Sequence, residues 1–236
     1  MYKLVISAGH YKGTPGRRCT KSLDPNETRE WVLNDRIADK LEKILADYEG
    51  IEILRVDDTT GKLNISLKER IAEANAWGAD FYLSLHANAA DLPEDETFEG
   101  GGIVVYVYTN ASAKSLEMQA AIYKALIART GLKGNRATPL AKANFDEVKK
   151  TKMPAVLAEL GFMNSSTDVP IILTETFADN AAQALAEVII EDSGATKKAQ
   201  PKRYLVQAGI YDERSNAEFV LRKLKSQGFN AKIKEI

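Results

Sequence analysis

The hydrophobic residues of the chain recur with two different periods. Short apolar runs, most of them rich in β-branched residues, predict buried strands. These runs are Lys3–Ser7, Ile51–Val56, Phe81–Leu85, Gly102–Thr109 and Pro154–Glu159. Between them, apolar residues at helical spacing predict helices over Glu27–Asp47, Ser66–Trp77, Ser112–Thr130 and Phe177–Ile190. Because strands and helices alternate, we predict an α/β fold: a twisted, mostly parallel sheet flanked by helices.

Polar residues mark where two of these helices begin. Asn26 is a suitable N-cap for the first helix and places Glu27 and Glu30 in its first turn. Ser66 and Glu69 have the spacing of a capping box for the second helix.

The chain divides into a large and a small part. Residues 1–191 form the predicted α/β domain, residues 192–202 a linker almost without large apolar side chains, and residues 203–236 a small β-α-β unit. In that unit Arg203–Ile210 and Asn230–Ile236 are predicted strands, and Ser215–Gln227 is a predicted helix. A unit of this size is too small to bury a useful core alone, so it needs a second copy or a partner.

Composition and charge exclude several classes of protein. Of 236 residues, 32 are Lys or Arg and 33 are Asp or Glu, a balance that argues against a nucleic-acid-binding protein. No apolar run is long enough for a membrane-spanning helix, and the N-terminal run is too short for a signal peptide. The single cysteine, Cys19, permits neither an intrachain disulfide nor a thiolate metal cage. The positive charge is concentrated in the tail, which indicates a second partner or simply a solvated charged helix.

Polar side chains that can bind a metal follow three predicted strands. His10 follows the first strand, His86 the third, and Glu159 ends the fifth. The carboxyl ends of parallel strands share one edge of a sheet, where ligands bind. A catalytic zinc takes three nitrogen or oxygen ligands and leaves one position open. The third ligand must therefore be an Asp or Glu near the two histidines, and Glu27 and Glu30 are both candidates. Glu159 is then available for proton transfer, unless the histidines are purely structural.

Four stretches carry a resemblance to a known family. They are Ile6–His10, Ser66–Asn75, Gly78–Asn88 and Met153–Asn164, in that order along residues 2–190. They resemble zinc-dependent N-acetylmuramoyl-L-alanine amidases with a single α/β catalytic domain, found in bacterial autolysins and phage endolysins. The resemblance implies one Zn²⁺ per chain, cleavage of the amide between N-acetylmuramic acid and L-alanine of peptidoglycan, zinc ligands at two His and one Glu, and a second, catalytic Glu.

Carried over residue by residue, the resemblance makes His10, Glu30 and His86 the zinc ligands and Glu159 the catalytic residue. Glu30 is preferred over Glu27 because Asn34 follows it by four residues, as in the family motif. The family often has Asp-Pro-Gly-His-Gly-Gly around the first histidine, whereas this chain has Ser7-Ala-Gly-His followed by Tyr11 and Lys12. The ligand is retained, but the loop that shapes the pocket differs.

The tail resembles one repeat of the sporulation-related (SPOR) peptidoglycan-binding module, in Tyr204–Tyr211, Asn216-Ala217 and Gly228–Ala231. That module usually has two such repeats, so two tails paired in a homodimer would complete one. The expected partner is peptidoglycan, with no nucleic acid and no membrane insertion. The alternatives are an inactive wall-binding protein and a zinc peptidase or amidohydrolase on another substrate. With no visible signal peptide, we expect synthesis in the cytoplasm and action on the wall after phage lysis or mother-cell lysis.

Overall fold

A computed structural model describes residues 1–199 and 207–235 of the chain. The chain separates into two compact units, Met1–Lys198 and Ala199–Ile236. The first seven residues of the predicted linker, 192–198, belong to the first unit. Among the described residues, no helix is both long enough and apolar enough to span a membrane.

Strands and helices alternate along most of the first unit. The strands are β1 (Tyr2–Ala8), β2 (Tyr48–Glu49), β3 (Ile51–Arg55), β4 (Phe81–Asn88), β5 (Ile103–Tyr108), β6 (Leu140–Ala143), β7 (Ala155–Phe162) and β8 (Thr196–Lys197). The helices are α1 (Glu30–Leu45), α2 (Leu67–Trp77), α3 (Ala113–Thr130), α4 (Asp146–Lys149), α5 (Val169–Ile172), α6 (Glu175–Ser193) and, in the second unit, α7 (Arg214–Ser226).

Six strands form one mixed sheet in the order β3-β1-β4-β7-β5-β6. The first four strands in this order are parallel to one another, whereas β5 pairs with β7 in the antiparallel sense. The predicted α/β fold with a mostly parallel sheet is therefore confirmed. Because β1, β4 and β7 are adjacent and parallel, their carboxyl ends lie side by side at one edge of the sheet.

Alternate residues of the central strands face two different cores. Leu4 and Ile6 of β1 belong to the larger core, to which α1, α3 and α6 contribute most of the helical residues. Val5 of β1 and Tyr82 of β4 belong to the smaller core beside α2 and α4. Both faces of the sheet are covered, and this explains why the strands read as nearly continuous apolar runs.

The helix starts differ in how well they were predicted. Ser66 forms the predicted capping box with Glu69 at the start of α2. The prediction of Asn26 as the N-cap of α1 is wrong: the helix begins at Glu30, after Arg29. Asp24 accepts hydrogen bonds from the backbone N–H groups of residues 26 and 28, and Glu27 has a φ of 48°. These residues form a turn before the helix, so only Glu30 lies in its first turn.

Two strands extend further than predicted. β4 continues to Asn88 and β7 to Phe162, so His86 lies inside β4 and not after it, and Glu159 lies inside β7 and not at its end. The short elements β2, β6, α4, α5 and β8 were not predicted. In the tail, the predicted helix is present as α7. The two strands predicted in the tail are absent where the structure describes them: residues 207–210 of Arg203–Ile210 and residues 230–235 of Asn230–Ile236 form no strand. The rest of these two segments, residues 203–206 and 236, lies outside the described residues.

Candidate metal centre and active site

His10 is held in an unusual backbone conformation just after β1. Its φ is 67°, in the left-handed region that residues with a side chain rarely adopt. Arg70 of α2 donates a hydrogen bond to the carbonyl of His10 at 2.8 Å and another to the carbonyl of Ala8 at 2.7 Å. These bonds fix the turn that brings the imidazole to the edge of the sheet. Burial lowers the pKa of His10 to about 4, so the ring is neutral and able to bind a metal at pH 7.

Glu30 brings a buried carboxylate to the two histidines. Its side chain is 1% exposed, and its position at the start of α1 suits a negative charge. Oε1 lies 3.0 Å from Nδ1 of His86 and accepts a hydrogen bond from the N–H of Ala87 at 3.3 Å. Oε2 lies 3.2 Å from Nε2 of His10 but has no hydrogen-bond partner. Burial opposes ionisation, but the hydrogen bond with His86 keeps the pKa of Glu30 below its usual value.

Glu27, the alternative ligand, lies in an ion pair with Arg18. Its Oε1 is 2.5 Å from Nε of Arg18, and this hydrogen bond lowers the pKa of the Glu27 carboxyl. Glu27 is therefore not part of the cluster around the histidines.

His86 completes a group of three side chains that could hold a metal ion. One donor atom each of His10, Glu30 and His86 lies within 4.8 Å of the others. The two imidazole rings meet edge to face, with centroids 5.2 Å apart. A cation bound here would satisfy the orphaned Oε2 of Glu30, and two imidazole nitrogens with one carboxylate oxygen form a donor set that suits zinc. The three residues therefore fit a bound metal ion.

Glu159 lies beside this group on the neighbouring strand. In the parallel pairing of β4 with β7, Glu159 is the register partner of His86. Its Oε2 is buried and has no hydrogen-bond partner. Burial raises the pKa of Glu159 to about 7; the charge of His86 opposes this rise and that of Glu30 adds to it. A carboxylate with this pKa can exchange protons at neutral pH.

Sequence reasoning missed two residues that support the site. Arg70 is fully buried, and Glu147 of α4 places its Oε2 3.3 Å from Nε2 of His86. Burial would raise the pKa of Glu147, but hydrogen bonds from His86 and neighbouring hydroxyl groups lower it to about 2. Arg70 falls inside a stretch that carries the family resemblance, which could have drawn attention to it. No sequence signal marks Glu147, which precedes a buried valine in a four-residue helix.

A small cavity adjoins the histidines. Its volume is about 150 Å³, and its walls are formed by His10, Asn64, Ile65, Leu67, Arg70, His86 and Glu147. A larger groove of about 460 Å³ is lined mainly by charged residues of α1, α6 and their flanks and includes none of the metal-binding residues. Of these two, only the smaller cavity adjoins the candidate metal centre.

Comparison with known proteins identifies the family. The N-acetylmuramoyl-L-alanine amidase family matches residues 4–191, and the SPOR domain family matches residues 200–236. The chain is 29% identical over 234 residues to a sporulation-specific N-acetylmuramoyl-L-alanine amidase of Bacillus subtilis, covering 98% of this chain and 84% of that protein. It is also 29% identical to the endolysin of Bacillus phage SPP1, covering 84% of this chain and 69% of the endolysin.

A solved structure agrees with this assignment. The N-acetylmuramoyl-L-alanine amidase of Clostridium difficile 630 has a TM-score of 0.70 and 25% identity, covering 80% of this chain and 95% of that structure. The family match spans most of the chain, including His10, Glu30, His86 and Glu159. The chain belongs to the N-acetylmuramoyl-L-alanine amidase family.

Proposed function

We propose that this chain hydrolyses the amide bond between the lactyl group of N-acetylmuramic acid and L-alanine of the peptidoglycan stem peptide, with one Zn²⁺ held by His10, Glu30 and His86. The observation that carries this proposal is the convergence of those three side chains next to Glu159, within a family of amidases. When bound, zinc supplies a Lewis acid that polarises the scissile carbonyl and allows water to lose a proton near neutral pH.

Glu159 supplies the proton transfers. As a carboxylate it takes a proton from the attacking water, and as a carboxylic acid it gives that proton to the alanine nitrogen as the C–N bond breaks. Its raised pKa supports both roles, since each protonation state is accessible near pH 7. The products are a free lactyl carboxylate on the glycan and a new alanine amino terminus.

A product assay on purified peptidoglycan tests this function. New amino groups should appear without new reducing sugar ends, and a chelator should abolish their release. Glu159→Gln should lower turnover by about 10²–10⁴-fold while zinc content stays at one per chain. If the parent binds zinc but releases no amino groups, the function is that of a wall-binding protein or a hydrolase for another substrate.

The tail supports retention on the wall. The described residues 207–235 contain α7, and none of them is buried. Several large apolar side chains are exposed in this part of the chain, namely Ile210, Tyr211, Phe219 and Phe229. We propose that the tail binds peptidoglycan and that two tails can pair in a homodimer, which would cover these side chains. Sedimentation velocity should then show a monomer–dimer equilibrium that Phe219→Ser shifts to monomer, whereas a strict monomer at high concentration would contradict pairing.

A further inference from the structure

Glu147 is a buried acid, and both of its carboxylate oxygens have hydrogen-bond partners. Its side chain is 3% exposed, and its Oε1 accepts hydrogen bonds from the hydroxyl groups of Ser7 at 2.9 Å, Tyr82 at 2.8 Å and Ser84 at 3.0 Å. Ser7 belongs to β1, while Tyr82 and Ser84 belong to β4, and all three are fully buried. A buried carboxylate is costly unless it is hydrogen-bonded in this way. The two central strands therefore form a site for one negative charge directly behind the candidate metal centre.

The remaining oxygen of Glu147 fixes the orientation of one histidine. Nε2 of His86 lies 3.3 Å from Oε2 of Glu147, while Nδ1 of the same ring lies 3.0 Å from Oε1 of Glu30. A histidine that binds a metal through one nitrogen commonly donates its other N–H to a carboxylate, and this bond fixes the ring and its tautomer.

We propose that Glu147 is a positioning residue that accepts the Nε2–H of His86 and thereby directs Nδ1 to the metal. This inference rests on the proposed metal centre but not on the identity of the substrate. Glu147 does not touch the reacting atoms; it acts through His86.

The hydroxyl group of Ser7 contacts both Arg70 and Glu147. The family motif often has Asp at the position of Ser7, three residues before the first histidine. Here the Ser7 hydroxyl accepts a hydrogen bond from Nη1 of Arg70 at 3.0 Å and donates one to Glu147. The hydroxyl thus connects the buried guanidinium to a carboxylate that comes from α4. We infer that Glu147 supplies the negative charge that the motif carries on β1.

Glu147→Gln tests the proposal, with Asp146→Asn as its matched control. Asp146 is the neighbouring acid of the same helix, and it is partly exposed and paired with Lys150. Zinc affinity is measured by chelator competition, and the folding of each metal-free variant by thermal unfolding. We expect Glu147→Gln to weaken zinc binding by about 10–100-fold, as for other carboxylates behind metal-binding histidines, and Asp146→Asn to leave it within about 2-fold. Equal affinities in two folded variants would overturn the proposal.

A spectroscopic measurement on the parent protein shows which nitrogen of His86 binds the metal, even if Glu147→Gln does not fold. The chain has only two histidines, so ¹⁵N spectra of the ¹¹³Cd-loaded protein resolve both rings. Coupling of ¹¹³Cd to Nδ1 of His86, with a proton retained on Nε2, is the expected result. Coupling to Nε2 of His86 would overturn the proposal. Neither measurement uses peptidoglycan, so failure of the proposed enzymatic function is recognised separately.

A double variant tests whether the carboxylate of Glu147 replaces the acid that the family motif carries on β1. Ser7→Asp combined with Glu147→Gln returns a carboxylate to β1, and we expect it to recover most of the lost zinc affinity. A folded double variant that binds zinc no better than Glu147→Gln would overturn the inference that Glu147 replaces the acid of the motif.

Discussion

The ring of His86 occupies the space next to Gly9 that a side chain at residue 9 would need. A Cβ built on Gly9 would come within 2.3 Å of Cε1 and 2.4 Å of Nδ1 of His86. The N–H of Gly9 donates a hydrogen bond to the carbonyl of Leu85 at 2.8 Å, so the two strands cannot easily separate here. Glycine at residue 9 is therefore required by the close approach of the segment after β1 to the ring of His86 on β4.

Gly9→Ala should displace the ring of His86. We expect the added methyl group to weaken zinc binding by more than about 10-fold and to destabilise the fold by about 1–3 kcal/mol through overpacking. Chelator competition and thermal unfolding measure the two effects. Gly13→Ala is the control in the same loop, because its methyl group would meet only the ring of Tyr11, which is partly exposed. Normal zinc binding by Gly9→Ala would show that the ring can move without affecting the metal.

Arg70→Lys should loosen the loop that carries His10. Nε of Arg70 also donates to the carbonyl of Ile65 at 3.0 Å, so the guanidinium bonds four acceptors that a single ammonium group cannot reach together. We expect a loss of about 2–4 kcal/mol in the free energy of unfolding and weaker zinc binding. Arg36→Lys is the control, because Arg36 bonds the carbonyls of residues 172 and 173 at α5. The Arg36→Lys variant should have a lower free energy of unfolding but nearly unchanged zinc affinity.

Glu30→Gln and Glu27→Gln should separate a metal ligand from a surface acid. We expect Glu30→Gln to lower zinc affinity by at least about 100-fold, since groups outside the ligand set alone contribute about 10–100-fold. Glu27→Gln removes the ion pair with Arg18 and should leave zinc affinity within about 3-fold. Chelator competition at one pH compares the two variants directly. Equal losses would mean that the loop as a whole, and not Glu30, determines metal binding.

The spacing of Glu30 and Asn34 is one feature of the site that could be predicted from the sequence. Four residues correspond to about one helical turn, which places both on the same face of α1. The amide of Asn34 there donates to the carbonyl of Gly9 at 3.4 Å. The strands β1, β4 and β7 could likewise be predicted from their apolar runs, although β4 and β7 continue past their predicted ends. Local pattern was enough for the strands because each depends on one element, whereas the choice of Glu30 over Glu27 rested on the family motif.

Features that depend on two distant elements could not be read from the sequence. Glu147 lies in a four-residue helix whose place beside β1 and β4 depends on the order of the sheet. The antiparallel pairing of β5 with β7 follows from the same long-range arrangement. The start of α1 was misplaced because Asn26 is a good N-cap in isolation, whereas Asp24 organises these residues into a turn. The first two features depend on tertiary contacts, whereas at α1 a competing local turn around Asp24 overrides the N-cap preference of Asn26.

Glu159 should make the metal-free protein less stable as the pH rises. Its pKa is raised from 4.5 to about 7 in the folded state, mainly by burial, so the folded chain binds the proton more tightly than the unfolded chain. The free energy of unfolding contributed by this group therefore falls between about pH 4.5 and pH 7 and is constant above that range. The glutamine side chain of Glu159→Gln cannot ionise, so this variant does not lose free energy of unfolding at residue 159 as the pH rises.

Denaturant unfolding of the chelator-treated parent and of Glu159→Gln at pH 5 and pH 8 measures this effect. On going from pH 5 to pH 8, we expect the free energy of unfolding of the variant to rise by about 2 kcal/mol relative to that of the parent. If Glu159→Gln shows no pH-dependent gain, the carboxyl of Glu159 titrates near its ordinary value, and burial does not adapt it to proton transfer at neutral pH.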